Sequence, residues 1–349
     1  LTDKNLERAK KAGDRVAYLK EKMYYPKKVD DIFLNEDTNI FDIEAAKAQQ
    51  ARLIGHGITG TPVFLHHDGE KIKHVFTDKM PISFFPTKND EDKDAPIVIY
   101  EFPVDNPPYG LYVAGVDPYR QGKASYSDSL GVVYIFKRMH SITGEDYQDM
   151  IVASYAARPD KKENWEEQAR LLIKYYNAIA LCENDEISFI EYMKAKGDAH
   201  YLQPQPPWLK IVVPNTTVNR EYGIHRSADK VRDFLHGRLK KYLEEVIHQE
   251  KDKEGSVIKE VTGVGKILDS LLLEEIIQYN EDGNFDRLIA AELAIAQAVE
   301  MDPIVGRVGN NDDPRYKALF GYKSHTLPHS MKTSFTPKFI PHKKRRLFI

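Results

Sequence analysis

The chain has little cysteine: Cys182 is the single one in 349 residues. One thiol excludes a disulfide framework and a cysteine-rich zinc module. The chain also lacks the roughly 20 consecutive apolar residues that a membrane-spanning helix needs, and residues 1–28 are too highly charged for a secretory signal. We therefore expect an intracellular protein without a membrane partner. Because the sequence begins with Leu1 rather than Met, we also expect a piece of a longer chain.

Neither sign of charge is in large excess. The 50 basic residues are balanced by 53 acidic ones, which leaves a formal net charge of −3. This balance excludes a wholly basic nucleic-acid coat, although it leaves room for a local basic surface. With 42% hydrophobic and 11% aromatic residues, the composition is that of an ordinary globular protein. The length predicts about two domains of roughly 150 residues each.

Nucleotide-binding motifs are also missing. Gly265-Lys266 resembles the end of a P-loop, but Glu260 and Ile267 occupy positions where that motif needs Gly and Ser or Thr. Residues 55–60 match Gly-x-Gly-x-x-Gly, but a predicted helix precedes them and an extended run follows, the reverse of a dinucleotide-binding unit. The histidines lack His-Glu-x-x-His spacing, so no zinc site is expected. We expect that this fragment does not hydrolyse ATP.

The hydrophobic pattern divides the chain into three parts. Residues 1–105 are predicted to form a lead-in segment with helices and a small β element, and residues 303–349 a C-terminal tail rich in Pro, Lys and Arg. Residues 106–302 carry the regular pattern of one folded domain. In that domain, three apolar strands joined by short, turn-rich linkers predict an antiparallel meander. The strands are expected at residues 111–116, 130–136 and 150–156.

Helices and strands are predicted to alternate after the meander. Asn164 with Glu167 is typical of a capping box at the start of a helix. Two more strands are expected at residues 178–182 and 209–213, with a helix that ends near Gly197 between them. This order predicts an α/β fold, a mixed five-stranded sheet with flanking helices. Three further helices are then expected, at residues 227–248, 267–279 and 285–299.

Three acidic residues stand at positions where ligands often bind. Asp117 ends the first strand of the meander, Glu183 ends the strand at 178–182, and Asp286 opens the last helix. Each acid alone has a structural explanation, as a turn former or at a helix N-terminus. Because ligand crevices form at the carboxyl ends of strands, neighbouring strands would bring Asp117 and Glu183 together. Clustered carboxylates are tolerated mainly when divalent cations neutralise them, and oxygen ligands suit Mg²⁺ or Mn²⁺.

The order of these features resembles the nuclease domain of phage large terminase subunits, which have an RNase H-like fold. The resemblance is closest in residues 112–138, where Gly115-Val116-Asp117-Pro118 leads through a polar loop to Asp128-Ser129-Leu130-Gly131. It continues in residues 181–185 and 284–294. Residues 25–50 are similar to the stretch that joins the terminase ATPase to the nuclease. The ATPase motor itself is missing.

This resemblance implies a function and a set of roles. Asp117, Glu183 and Asp286 would be the catalytic acids that hold two Mg²⁺ or Mn²⁺ ions, with Asp128 as an auxiliary acid. Phe285 stands where many relatives have a second acid. The implied activity is an endonuclease that cuts concatemeric double-stranded DNA during genome packaging, in the host cytoplasm at the procapsid portal. The implied partners are the ATPase domain of the same protein, the portal protein and the small terminase subunit.

Basic residues flank the expected crevice, and their role has two interpretations. They would contact DNA phosphates without reading the sequence, or they would form a solvated polar face. The residues concerned are Arg120, Lys123, Arg226, Lys230 and Arg232. Two other functions also remain open. One is an RNase H-like nuclease of the junction resolvase or transposase type, and the other is a non-catalytic module that grips DNA or docks on the portal.

Overall fold

The computed structural model describes residues 39–69, 71–83, 93–120, 129–138, 149–214, 220–251, 257–280 and 283–301. All of these residues belong to one compact unit. The first part of the expected lead-in segment, residues 1–38, and the tail expected at 303–349 lie outside the described residues. Among the helices of the described ranges, none has the length and apolar character needed to cross a membrane.

A seven-stranded mixed sheet forms the centre of the molecule. Its strands are β1 (Thr61–Asp68), β2 (Lys71–Phe76), β3 (Ile97–Ile99), β4 (Tyr112–Asp117), β5 (Gly131–Lys137), β6 (Met150–Ala157) and β7 (Ile179–Cys182). They lie side by side in the order β2-β1-β3-β6-β5-β4-β7. β7 runs parallel to β4, and every other neighbouring pair is antiparallel. The expected antiparallel meander is therefore confirmed as β4, β5 and β6.

The expectation of an α/β fold with a mixed sheet and flanking helices is confirmed, but the expected number of five strands is wrong. The sheet is larger because β3 pairs with β6, which joins β1, β2 and β3 to the meander. These three strands come from the segment predicted as a lead-in. The strand expected at residues 209–213 is absent, because that run is part of a short helix, Trp208–Val212.

Seven helices pack around the sheet in the described part of the chain. They are α1 (Ile43–Gly55), α2 (Lys162–Tyr175), α3 (Ser188–Ala195), α4 (Trp208–Val212), α5 (Asp229–Glu244), α6 (Ser270–Gln278) and α7 (Asp286–Met301). Single 3₁₀ turns occur at Ala199–Tyr201 and Val264–Lys266, and a separate hairpin joins β8 (Val246–Lys251) to β9 (Val257–Thr262). The predicted helix at 227–248 is thus too long, since the chain leaves the helix at Glu244 and enters β8.

Helix starts follow the rules for capping only in part. The Asp42 side chain accepts a hydrogen bond from the Ala45 amide at the start of α1, and Asp269 accepts from two amides at the start of α6. The capping box predicted at Asn164 is wrong. α2 begins earlier, at Lys162, and Lys161 at its N-cap makes no side-chain cap.

Helices cover both faces of the central strands. Every residue of β4, β5 and β6 is buried, as expected for strands that pack on two sides. Gly115 of β4 faces α7, because a Cβ atom there would lie 2.0 Å from the carbonyl oxygen of Ala290. Gly131 of β5 faces α2, because a Cβ atom there would meet the ring of Trp165. The close contact with α7 is possible because small residues, among them Ala290 and Ala294, line that side of the helix.

Candidate functional site

The pairing of β4 with β7 brings two acids together. Val116 is in register with Cys182, so the next residues, Asp117 and Glu183, lie side by side at the carboxyl end of both strands. The Glu183 amide donates a hydrogen bond to the Val116 carbonyl at 2.9 Å, which continues the pairing by one residue. Because side chains alternate along a strand, Asp117 points to the same face as Gly115, the face that α7 covers.

The third acid reaches this place through α7. Asp286 is the first residue of α7, one helical turn before Ala290, whose carbonyl lies against Gly115. Its Oδ2 accepts a hydrogen bond of 2.6 Å from the amide of Leu130, just before β5. The beginning of β5 is beside the end of β4, since Asp117 is in register with Val132. The three predicted acids therefore converge at one edge of the sheet.

Burial and mutual repulsion shape the charge of this cluster. Burial, together with the charges of Glu183 and Asp286, raises the pKa of Asp117 well above its usual range. Burial also raises the pKa of Glu183, although the positive charge of Arg226 opposes the shift. Burial raises the pKa of Asp286 to about 7, against the opposing effect of the Leu130 amide. A side-chain hydrogen bond between Asp117 and Glu183 raises the pKa of Asp117 further and opposes the rise in the pKa of Glu183.

The donor set fits a hard divalent cation. In the described part of the chain, no group of three or more His, Cys, Asp or Glu side chains is arranged to hold a metal ion as it stands. Asp117, Glu183 and Asp286 offer the oxygen ligands that Mg²⁺ and Mn²⁺ prefer.

A buried ion network lies against the acids. Arg226 donates from Nη2 to Oε2 of Glu292 at 3.0 Å, and Glu292 on α7 is fully buried. The other carboxylate oxygen of Glu292 contacts Nδ1 of His236 on α5. His236 in turn bonds through Nε2 to the Tyr279 hydroxyl at 2.8 Å. The positive charge of Arg226 opposes the rise in the pKa of both Asp117 and Glu183, so its side chain belongs to the acid cluster.

The other predicted site residues lie in different surroundings. Arg120 is exposed and donates to the carbonyl of Asp185 at 3.3 Å, and its charge also opposes the rise in the pKa of Glu183. Lys230 and Arg232 are exposed at the start of α5, where Arg232 pairs with Asp229. Asp128 and Lys123 lie outside the described residues. The predicted DNA contacts of all five basic residues stay predictions.

Two residues of the site were not predicted from the sequence, Glu292 and His236. Glu292 had a detectable signal, because it stands alone in the apolar run from Leu288 to Ala296. A charged residue inside such a buried stretch needs a partner. His236 had no comparable signal, since its contact with Glu292 depends on how α5 packs on α7.

Comparisons with models of known protein families, with curated proteins and with solved structures found no match for this chain.

Proposed function

We propose that this chain is a metal-dependent endonuclease domain that hydrolyses phosphodiester bonds in double-stranded DNA. The observation that carries the proposal is the convergence of Asp117, Glu183 and Asp286 at one buried edge of the sheet. These residues are far apart in the sequence, and no local structural element requires them to lie together. The pKa of Asp117 is raised because its charged form is unfavourable here, and a bound cation would stabilise that charged form. The raised pKa therefore supports a metal site.

The three carboxylates would hold the metal ions in this proposal. When bound, two Mg²⁺ or Mn²⁺ ions supply an activated water and stabilise the departing 3′ oxygen. Asp117 is central, since it contacts Glu183 directly and its pKa responds to the charge of Asp286. Asp286 keeps one oxygen on the Leu130 amide, which fixes its orientation.

The proposed biological setting is taken from the resemblance to the nuclease domain of phage large terminase subunits. On this proposal, the present domain has an RNase H-like fold, as that nuclease domain does. The order β6-β5-β4-β7, with β7 parallel to β4 and acids after β4 and β7, supports this assignment. The substrate would be concatemeric DNA, cut during packaging at the procapsid portal in the host cytoplasm. The partners would be the terminase ATPase domain, the portal protein and the small terminase subunit.

A plasmid cleavage assay with Asp117→Asn tests the proposed function. We expect the wild-type protein to cut plasmid DNA with Mg²⁺ or Mn²⁺, and the variant to lose at least about 100-fold in rate because the shared metal ligand is gone. Asp233→Asn is the matched control, since Asp233 is an exposed acid on α5. Full cleavage by a normally folded Asp117→Asn protein would refute the assignment, as would a wild-type protein that is inactive with both metals.

A further inference from the structure

We infer that Arg226 binds the phosphate of the DNA that is being cut, and that buried Glu292 is the residue that positions Arg226 for this contact. The inference rests on the proposed function and assigns a substrate contact within the same site. From the sequence, Arg226 was expected to contact DNA phosphates beside the crevice. We now infer that it contacts the phosphate located at the acid cluster itself.

The backbone brings Arg226 to the edge of the acid cluster. Ile224 pairs with the end of β7: its amide donates to Cys182 at 2.9 Å, and its carbonyl accepts from Asn184 at 2.8 Å. Arg226 follows two residues later, so its main chain is tied to the strand that ends in Glu183. Gly223, with φ of 71°, makes this approach possible, because a Cβ atom there would lie 2.4 Å from the Cys182 carbonyl.

Glu292 holds the Arg226 side chain in one place. The Glu292 carboxylate is fully buried, and its two oxygens are taken by Arg226 and by His236. A buried carboxylate with a second fixed partner is a rigid anchor, because leaving either oxygen without its partner would be costly. The His236 ring is itself held by the Tyr279 hydroxyl. The arginine is therefore fixed from α7, the same helix that carries Asp286.

One donor of the Arg226 guanidinium group has no hydrogen-bond acceptor in the described part of the chain. Nε of Arg226 is buried and has no hydrogen-bond acceptor among the residues that the structure describes. Buried donors are nearly always paired in folded proteins, so an unpaired one beside a cluster of acids indicates a missing acceptor. A phosphate oxygen is the acceptor that arginine matches best, and a DNA phosphate near the three acids would supply it.

Two substitutions of Arg226, to Gln and to Lys, test the inference. Lys71→Gln is compared with them. Lys71 is an exposed residue on β2, at the sheet edge opposite β7, and serves as the control. Binding of a short linear duplex, measured by fluorescence anisotropy with Ca²⁺ at several NaCl concentrations, reports phosphate contacts. We expect Arg226→Gln to reduce the slope of log affinity against log salt by about 1, and both other variants to keep the slope. An unchanged slope for Arg226→Gln would overturn the inference.

Single-turnover cleavage at saturating DNA adds a second measurement. We expect Arg226→Gln and Arg226→Lys to lower the rate by about 100-fold, because one placed donor is lost. Glu292→Gln should lower the rate by about tenfold and add nothing to Arg226→Gln, as for a residue that acts through the arginine. A rate for Arg226→Gln within about threefold of the wild type would also overturn the inference. If the wild type does not cleave at all, the proposed function fails and the salt slope alone decides on Arg226.

Discussion

Gly115 of β4 lies so close to Ala290 of α7 that a Cβ atom at Gly115 would be 2.0 Å from the Ala290 carbonyl oxygen. Such a distance is far below van der Waals contact, so any side chain at this position would displace the helix. The contact matters because Asp117 is two residues after Gly115 and Asp286 is four residues before Ala290. The spacing between strand and helix thus determines the spacing between the acids.

Gly115→Ala should therefore reduce stability and activity together. We expect the free energy of unfolding to fall by about 1–3 kcal/mol through overpacking. The measurement is urea denaturation combined with the plasmid cleavage rate. Gly237→Ala is the control, because a Cβ atom at that position in α5 would meet nothing within 4 Å. This control should gain about 0.5–1 kcal/mol, and equal stability of the two variants would contradict the explanation.

The buried acids should make stability depend on pH in the absence of metal. Burial raises the pKa of Asp286 to about 7, so the folded protein keeps a proton that the unfolded chain releases near its ordinary value of 3.8. Between those values the folded state binds more protons, and its free energy of unfolding falls as pH rises. One such group contributes at most about 1.4 kcal/mol per pH unit.

Asp286→Asn tests this dependence, because Asn cannot titrate but can still accept the hydrogen bond from Leu130. We measure the free energy of unfolding by urea denaturation in the presence of a chelator. Between about pH 5 and about pH 7, this free energy should decrease less steeply in the variant than in the wild type. Asp233→Asn, at an exposed position, should behave like the wild type. Identical slopes for Asp286→Asn and the wild type would show that Asp286 does not carry the effect.

Metal ions should stabilise the folded protein without being needed for folding. The core is formed by apolar side chains and needs no metal ligand, so chelation should leave the fold intact and abolish only cleavage. Added Mn²⁺ should raise the unfolding temperature, since a ligand at 100 times its Kd contributes about 2.7 kcal/mol. Asp117→Asn should lose most of this increase, which thermal unfolding with and without Mn²⁺ measures. The same increase in both proteins would place the bound metal elsewhere.

The meander and β7 were predictable from the sequence, while the joining of β1, β2 and β3 to the same sheet was not. The meander strands and β7 are apolar runs bounded by turn residues, which are strong local signals. The run at residues 209–213 was wrongly assigned to a strand, because a short apolar run is equally compatible with a helix. Two prolines, Pro206 and Pro207, precede the helix that forms there, and proline favours the first turn of a helix.

The candidate site was predictable where it depends on the strands. Asp117 and Glu183 end two apolar strands, so only the neighbour relation of β4 and β7 was needed to bring them together. The partner of Arg226 could not be predicted in this way. Glu292, His236 and Tyr279 come from three separate segments, and their contacts depend on how the helices pack.

Anomalous diffraction from crystals soaked in Mn²⁺ tests the central claim most directly. We expect strong manganese peaks within bonding distance, about 2.2 Å, of carboxylate oxygens of Asp117, Glu183 and Asp286. We also expect metal contacts to replace the hydrogen bond between Asp117 and Glu183. Crystals in which manganese binds only at other residues, while the same protein cleaves DNA in solution, would contradict the account.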